Sequence, residues 1–571
     1  MNQAAERAQA WLKAPYDEET QKATQALLDE GGDALADAFY QDLDFGTGGL
    51  RGIMGVGTNR INKYTLGAAT QGLANYLNQQ FPNQEVKVAI AHDSRHNSKP
   101  FARQVAEVLS ANNIKVYLYE DLRPTPALSF AIRHLNCQSG IVLTASHNPP
   151  AYNGYKVYWS DGGQLVPPHD KAVIKEVRAV SADAINYDAK PELIEMIGDE
   201  IDQAYLAEVK KLSLSEGGKE DLSVVFTSIH GTSITLVPPA LANAGFKNVS
   251  IVEEQATPDG DFPTVKSPNP EEAEALSMAL KQAEAENDDM VIGTDPDADR
   301  VGIAVRNLDG EMELLNGNQA ASVLIYYLLE NWKQNNKLTG KEYVAKTIVT
   351  TDLIAKIAEG YNVPCPECLT GFKWIADIIR KREGEATFIG GGEESYGYMI
   401  GDFVRDKDAV ASAVMLAETA AFAKSQGGSF YEMLIDVYVK FGFYLEKLVS
   451  LKREGMKGQE EIAQMMQDFR TKTPTTIAGE QVLEVLDYQS SEHRFPADGR
   501  TEKIDLPQSN VVQFVTDKGT KITARPSGTE PKIKFYVSVN DKLDDKANFA
   551  VMKADLERRI DNICKELGLW K

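Results

Sequence analysis

A serine and three aspartates stand in this chain where side chains could do chemistry. Ser146 lies in Thr144-Ala145-Ser146-His147-Asn148-Pro149, entered from the apolar run Ile141-Val142-Leu143 and followed by Asn153-Gly154-Tyr155-Lys156. It thus sits in a tight polar loop just past an expected strand, with a lysine ten residues on. The aspartates lie in Gly293-Thr294-Asp295-Pro296-Asp297-Ala298-Asp299-Arg300. Their alternate spacing sets three carboxylates on one side of an extended segment. Such a set suits Mg²⁺, a hard cation that takes oxygen ligands and keeps positions for water or a phosphate. An EF-hand is excluded, because Arg300 and Arg306 occupy its sixth and twelfth positions, where glycine and glutamate are required.

Ser146 does not read as an acyl-transfer nucleophile. Thr144 and Asn148 stand where a nucleophile elbow needs glycines, and the adjacent His147 is poorly placed as a base. A phosphorylated serine needs no triad, since phosphoryl transfer depends on in-line positioning and charge neutralisation. One phosphate oxygen and the three aspartates would then give a metal four ligands. From the loop alone, a turn serine bonding its own backbone is an equal alternative.

Arg525-Pro526-Ser527-Gly528-Thr529-Glu530-Pro531 has the composition of a phosphate cradle: a guanidinium fork, two hydroxyls and a glycine that lets backbone N–H groups approach. Its plain reading is a Pro/Gly turn. Gly392-Glu393-Glu394-Ser395 offers carboxylates and a hydroxyl to sugar hydroxyls, which donate as well as accept. Glu394 also reads as a solvated surface carboxylate. Lys373, in Thr370-Gly371-Phe372-Lys373-Trp374, lies near an expected helix start, where anions are welcome. Cys365-Pro366-Glu367-Cys368 is a lone CxxC, with Cys137 and Cys564 isolated elsewhere, and we read it as structural. His230 reads as a packing or hinge residue.

The elements that must position these groups alternate. Strands expected near 86–91, 114–119, 140–143, 222–227, 249–252, 290–293, 301–305, 343–349 and 386–389 interleave with helices near 101–111, 236–244, 318–332 and 407–424. That alternation implies mostly parallel sheets. Residues 4–12 and 17–28 read as polar helices, and 511–515, 521–524 and 533–539 as strands closed by a helix at 545–567, an α+β region. We set domains at 1–205, 206–317, 318–440 and 441–571. The loops at Ser146, Asp295, Glu393 and Arg525 each follow a strand, one per domain, where open α/β sheets bind ligands.

A length of 571 residues exceeds one core. The net charge of −23 argues against nucleic acid and anionic membranes as partners. A phosphate ester would need local cations, for which Arg51, Lys156, Lys373, Arg405, Lys407 and Arg525 qualify, each placed in a loop. No apolar run approaches transmembrane length, no signal-peptide pattern is read, and four cysteines fit a reducing cytoplasm.

These motifs, in this order from Phe45-Gly46-Thr47-Gly48-Gly49-Leu50-Arg51-Gly52 to the Arg525 loop, resemble the α-D-phosphohexomutase family of phosphoglucomutases and phosphomannomutases. The resemblance spans nearly the whole chain. Thr370 to Trp374 together with Glu393-Glu394-Ser395-Tyr396-Gly397-Tyr398 looks most like the branch of long bacterial phosphoglucomutases and vertebrate phosphopentomutase-like enzymes. The resemblance implies three related α/β domains with mixed, mostly parallel sheets plus a C-terminal α+β domain, around a central cleft. Ser146 would be the phosphoserine and would bind Mg²⁺ with Asp295, Asp297 and Asp299. Glu393 and Ser395 would bind sugar hydroxyls, with Arg525, Ser527, Gly528 and Thr529 on the non-reacting phosphate. Arg51 and Lys156 would contact the transferring phosphoryl group or move protons. His147 and Arg300 would line the same site, with Lys373 on the substrate.

Some bacterial members carry a histidine two residues after the sugar-binding serine. Gly397 stands there in this chain, which makes Lys156 the first candidate for general base. The implied reaction interconverts glucose 1-phosphate and glucose 6-phosphate through glucose 1,6-bisphosphate, which also serves as activator. Because one Arg525 cradle must take either end of that bisphosphate, mobility of the C-terminal domain is expected. The rivals are a mutase for mannose, pentose or glucosamine phosphates, a metal-dependent phosphatase, and a non-catalytic sugar-phosphate-binding protein. The expected partner is a small sugar phosphate, the location cytoplasmic, and the assembly a monomer or dimer.

Overall fold

The computed structural model describes residues 2–46, 48–453, 455–527 and 532–570. The chain forms two compact units. The first comprises Met1–Asn316, Phe372–Phe388 and Ser395–Gly427; the second comprises Gly317–Gly371, Ile389–Glu394 and Gly428–Lys571.

The first unit contains two mixed sheets. Strands β1 (Gly49–Ile53), β2 (Lys87–His92), β3 (Lys115–Tyr119), β4 (Ser139–Leu143), β5 (Tyr152–Trp159) and β6 (Ile194–Ile197) lie in the order β1-β5-β4-β2-β3-β6. From β4 to β6 the pairing is parallel, while β5 runs antiparallel to both its neighbours. All five residues of β4 are buried. A central strand covered on both faces can be apolar at every position, which is why Ile141-Val142-Leu143 does not alternate. Leu66, Leu73 and Leu77 of the helix Lys63–Gln80 share one core with Ile90, Ile141 and Leu143.

The second sheet holds β7 (Ser223–Thr227), β8 (Asn248–Ile251), β9 (Met290–Thr294), β10 (Val301–Arg306) and β11 (Met312–Leu314), ordered β11-β10-β9-β7-β8. Strands β8, β7 and β9 are parallel, whereas β9, β10 and β11 are antiparallel. β9 is again wholly buried. The loops bearing Ser146 and Asp295 therefore leave the C-terminal ends of two fully covered strands, where such sheets bind ligands.

In the second unit β12 (Glu342–Thr347) pairs in parallel with β13 (Glu367–Cys368). Of β14 (Thr387–Glu393), residues 389–393 belong to this unit, whereas β15 (Gly397–Ile400) belongs to the first. The C-terminal sheet is antiparallel and consists of β16 (Phe443–Lys452), β17 (Thr476–Ile477), β18 (Glu480–Asp487), β19 (Glu492–Phe495), β20 (Arg500–Lys503), β21 (Val512–Thr516), β22 (Lys521–Pro526) and β23 (Lys532–Asp541). Its order is β16-β23-β22-β21-β18-β19-β20, with β17 on β18. The helix Phe549–Glu566 packs on β16 and β23.

Three local readings of the sequence change. Gly390-Gly391-Gly392-Glu393 completes β14 instead of forming a loop, and residues 388–393 are all buried. Arg525 and Pro526 end β22, opposite Lys534 and Ile533. Lys156 lies inside β5, opposite Val142 and Gly49, and not in a loop. Among the described residues no helix is long and apolar enough to cross a membrane.

Candidate active site

Ser146 is fixed through its backbone. Its φ of 51° is left-handed, which costs a non-glycine residue on the order of 1 kcal/mol. The fully buried Arg95 side chain holds the loop in that shape. Its Nη2 donates to Ser146 O at 2.6 Å and to Asn148 O, and its Nη1 donates to Pro149 O at 2.8 Å and Tyr152 O at 3.1 Å. Asp93 lies 3.3 Å from Arg95 Nε. Ser146 N donates to Thr144 Oγ1 at 2.9 Å, and Ser146 Oγ donates to Asp295 Oδ2 at 2.6 Å. The hydroxyl is thereby aimed at the acidic loop, not at its own backbone.

His147 Nδ1 lies 3.2 Å from the same Oγ, so the adjacent histidine does reach the serine. A left-handed turn brings successive side chains together where an extended chain would part them. Burial and the Arg300 and Arg51 guanidiniums hold His147 well below the usual imidazole range, which keeps the ring neutral.

The three aspartates converge by a turn, not by alternation along a strand. Ala298 has φ 53°, and its N–H donates to Asp295 O at 3.0 Å. The amides of Asp299 and Arg300 donate to Asp295 Oδ1 at 3.1 and 3.0 Å. Folded over in this way, one oxygen from each buried carboxylate comes within 4.8 Å of the others. A strand would space alternate residues about 7 Å apart.

Asp297 Oδ2 accepts from Lys156 Nζ at 2.6 Å and from Thr125 Oγ1 at 2.9 Å. Asp299 Oδ2 accepts from Lys156 Nζ at 3.1 Å and lies 3.1 Å from Lys407 Nζ. Asp297 Oδ1 and Asp299 Oδ1, by contrast, are buried and accept no hydrogen bond. Leftover inward oxygens on buried carboxylates match the needs of a hard divalent cation. Burial and the two neighbouring carboxylates push Asp295 well above the usual carboxylate range. Burial acts the same way on Asp299, but Lys156, Lys407 and Arg300 outweigh it and hold Asp299 low.

Lys156 reaches this site only because Gly49 stands beside it. A Cβ on Gly49, whose φ is 136°, would fall 1.8 Å from Tyr155 O, so the close pairing of β1 with β5 requires glycine there. Burial disfavours the Lys156 ammonium, yet Asp297 and Asp299 reverse the balance and raise its pKa. As placed, the Lys156 ammonium donates hydrogen bonds to both carboxylates.

Lys407 takes the space that Gly397 leaves. A Cβ on Gly397 would fall 2.0 Å from Lys407 Cδ. Lys407 Nζ lies 3.2 Å from Asp406 Oδ1, and Asp406 Oδ2 accepts from Tyr158 OH at 2.7 Å and Gln164 Nε2 at 2.9 Å. The sequence showed Lys407 as one cation among several, and Gly397 as a missing histidine; their contact joins the two facts. Arg405 drops out as a phosphate contact. It is fully buried, 3.1 Å from Glu383 and 3.7 Å from Asp402.

Arg51, Ser146, Lys156, Asp299, Arg300, Lys407 and Gln164 line one cavity of about 250 Å³ within the first unit. Arg51 Nη1 donates to Asn148 Oδ1 at 3.1 Å, and Arg300 pairs with Glu271. Lys373 is the second residue of the helix Phe372–Arg382, with its Nζ 5.2 Å from the Trp374 ring centre. Ser395 is half-buried in the turn after β14.

In the second unit Glu393 is buried and accepts from Gly371 N at 2.8 Å. Glu394 is not a solvated carboxylate: burial and Glu393 push it up to about 7, against the pull of Lys534 and Arg525. Arg525 and Lys534 face each other across β22 and β23, so these four residues form one charged cluster. Ser527 N donates to Lys532 O at 2.7 Å, while Gly528 and Thr529 lie outside the described residues. Cys365 and Cys368 are free thiols, with burial pushing Cys365 up to about 12 and Cys368 also upward. Deprotonation that difficult removes the CxxC from reactive chemistry. His230 packs between Thr257 O and Thr264 Oγ1, each 2.9 Å away.

The family described as phosphoglucomutase/phosphomannomutase matches the chain in three successive alpha/beta/alpha domains: domain I at 42–183, domain II at 203–310 and domain III at 316–441. The chain belongs to this family. A phosphoglucomutase of Staphylococcus haemolyticus is 38% identical over 507 residues, covering 88% of this chain and 91% of that one. A phosphoglucomutase of Staphylococcus aureus is 39% identical over 508 residues, covering 88% and 90%. Among solved structures, a putative phosphomannomutase from Thermus thermophilus has a TM-score of 0.66 at 22% identity, covering 92% and 98% of the two chains. The open form of parafusin from Paramecium has a TM-score of 0.66 at 18% identity, covering 93% and 95%. These two likenesses concern the fold alone.

Proposed function

We propose that the protein is a phosphoglucomutase that interconverts glucose 1-phosphate and glucose 6-phosphate through a phosphorylated Ser146. The observation carrying this reading is Ser146 Oγ at 2.6 Å from Asp295, beside two orphaned aspartate oxygens, in a cavity lined by Arg51, Lys156 and Arg300. Glucose as the sugar rests on the names of the relatives at 38–39% identity.

Asp295, Asp297, Asp299 and an oxygen on Ser146 would hold Mg²⁺, which when bound supplies Lewis-acid neutralisation of phosphoryl charge. In the first transfer, O6 of glucose 1-phosphate attacks the phosphorus on Ser146 in line. The bond from phosphorus to Ser146 Oγ breaks as the new one forms. Arg51 and Lys156 neutralise the transferring oxygens, and the Lys156 ammonium donates a proton to the departing Oγ. The Lys407 ammonium, paired with Asp299 and Asp406 in the space left by Gly397, neutralises charge on the attacking sugar oxygen, whose proton passes to neutral His147. In the second transfer, Ser146 Oγ attacks the phosphorus on O1 of glucose 1,6-bisphosphate as the bond from phosphorus to O1 breaks; Lys156, left neutral by the first transfer, takes the Oγ proton, and the protonated His147 returns one to O1. Glu393 and Ser395 bind sugar hydroxyls, and Arg525, Ser527, Gly528 and Thr529 hold the phosphate that does not react, with Lys373 nearby on the substrate. Domains at 1–205, 206–317, 318–440 and 441–571 would contribute one loop each.

A coupled assay with glucose, mannose, ribose and glucosamine 1-phosphates, with and without a trace of bisphosphate, tests the reading. Glucose 1-phosphate should turn over fastest and only with Mg²⁺. Lys407→Ala should lower kcat by about a hundredfold or more through loss of charge stabilisation. Isomerisation that survives Ser146→Ala sinks the phosphoserine assignment. Free phosphate without isomerisation would make the protein a phosphatase.

A further inference from the structure

Within the first unit, the acidic loop is gripped by amides that open three helical elements. The N–H of Thr125, first residue of the helix Thr125–His134, donates to Asp297 O at 2.8 Å. The N–H of Thr232, which opens the 3₁₀ turn Thr232–Thr235, donates to Pro296 O at 2.8 Å, joined there by Thr232 Oγ1 at 2.8 Å. The N–H of Ala409, first residue of the helix Ala409–Ser425, donates to Ala298 O at 3.1 Å. The opening amides of a helix have no partner within it, and these take three successive carbonyls of the loop. With its backbone oxygens engaged in this way, the loop offers its carboxylates to a ligand.

The carboxylates are themselves divided, oxygen by oxygen. On Asp295, Oδ1 accepts from the amides of Asp299 and Arg300, and Oδ2 is left to Ser146 Oγ. On Asp297, Oδ2 accepts from Thr125 Oγ1 at 2.9 Å and from Lys156 Nζ at 2.6 Å, while Oδ1 accepts nothing. Lys156 also serves Asp299, at 3.1 Å. Its ammonium, a rotatable point charge on a flexible stem, supplies charge to both carboxylates and fixes the plane of neither. Thr125 differs. It is fully buried, its β-branched side chain is stiff, and its own N–H holds the backbone of the same aspartate. One residue thus binds Asp297 at both ends, across 172 positions of sequence. Thr125 is not among the residues lining the Ser146 cavity, so it acts through Asp297.

We propose that Thr125 is a positioning residue for the cation: its hydroxyl occupies Asp297 Oδ2 and so presents Oδ1 as the ligand oxygen. The inference rests on the reading of Asp295, Asp297 and Asp299 as a cation site. A donor on the idle oxygen of a ligating carboxylate fixes its rotation before the metal arrives, and losing such a partner weakens metal binding by about ten- to a hundredfold. The contact has a second consequence. Thr125 opens the helix between β3 and β4, and Ser146 follows β4. Thr125 therefore ties the acidic loop to the sheet that carries the serine, the two parts that in-line transfer requires in register.

Titration of the full-length protein with Mn²⁺, which shares the oxygen ligands of Mg²⁺, tests this without any sugar, the free ion being read by electron paramagnetic resonance. Thr125→Val keeps the side-chain shape and the backbone N–H but has no hydroxyl, and should bind Mn²⁺ about tenfold or more weakly than the wild type. Thr125→Ala, equally without a hydroxyl, repeats the measurement on a smaller side chain. Thr125→Ser keeps the hydroxyl and should bind like the wild type, whereas Asp297→Asn should bind weakly. Wild-type affinity in Thr125→Val or Thr125→Ala overturns the inference and leaves the three aspartates as ligands. A loss in Thr125→Ser as large as in Thr125→Val also overturns it, since packing and not the hydroxyl would then be the cause. A wild type that binds no Mn²⁺, or an Asp297→Asn that binds it normally, overturns the cation reading itself and the inference with it.

Discussion

Ser146 holds a left-handed φ of 51° while its Oγ donates to Asp295 at 2.6 Å. The residue that would react is also one whose backbone is strained, and Arg95 holds it there through four carbonyl oxygens. Glycine has no Cβ penalty in that region. Ser146→Gly should therefore be more stable than Ser146→Ala by about 1 kcal/mol, with both variants inactive. Urea unfolding of the pair checks this, and equal stabilities would mean the loop is not strained. Ser146, Asp295 and Lys156 stand out in the sequence as candidates because their chemistry is a property of residue type. The reach of His147 to Ser146 and the hydrogen bonds from Lys156 to Asp297 and Asp299 do not, since both depend on neighbours brought in by the fold.

At the scale of elements, β16 pairs along its whole length with β23, and Glu446 on β16 sits opposite Ser538. Ser538 Oγ donates to Glu446 at 3.2 Å, and burial pushes this carboxyl up to about 7 from an ordinary 4.5. The folded chain thus holds that proton more tightly than the unfolded one. The stability gained is complete below the unfolded value and is lost as pH rises through about 7. Glu446→Gln cannot titrate, so its unfolding free energy should fall less steeply than that of the wild type between about pH 5 and pH 8. Parallel slopes in denaturant titrations would remove Glu446 as the source. β4 and β9 were legible as uninterrupted apolar runs because covered central strands need no polar face. β1, β5 and the glycine-rich end of β14 were not. Lys156 within β5 and Gly390 to Gly392 within β14 look like loop residues until partner strands supply the burial.

For the whole molecule, a cation held by the unpartnered oxygens of Asp297 and Asp299 would couple metal binding to folding. At a hundredfold excess over its Kd, Mg²⁺ should stabilise the folded protein by about 2.7 kcal/mol. Calorimetric scans should show the melting midpoint rise with Mg²⁺ in the wild type and not in Asp297→Asn. A midpoint indifferent to Mg²⁺ in the wild type would count against the three aspartates as its ligands.

The sequence by itself determined which residues could do the chemistry, which buried strands deliver the Ser146 and Asp295 loops, and the family to which the chain belongs. Those features are local: residue type, the run of apolar side chains, and the order of motifs. Only the tertiary structure decided how they meet. Ser146 and Asp295 are 149 positions apart, and Ser146 and Arg95 are 51 apart. Gly397 makes room for Lys407, and the turn at Ala298 replaces the expected extended segment. Contacts of that separation follow from sheet order and from burial summed over whole cores, which no local spacing encodes.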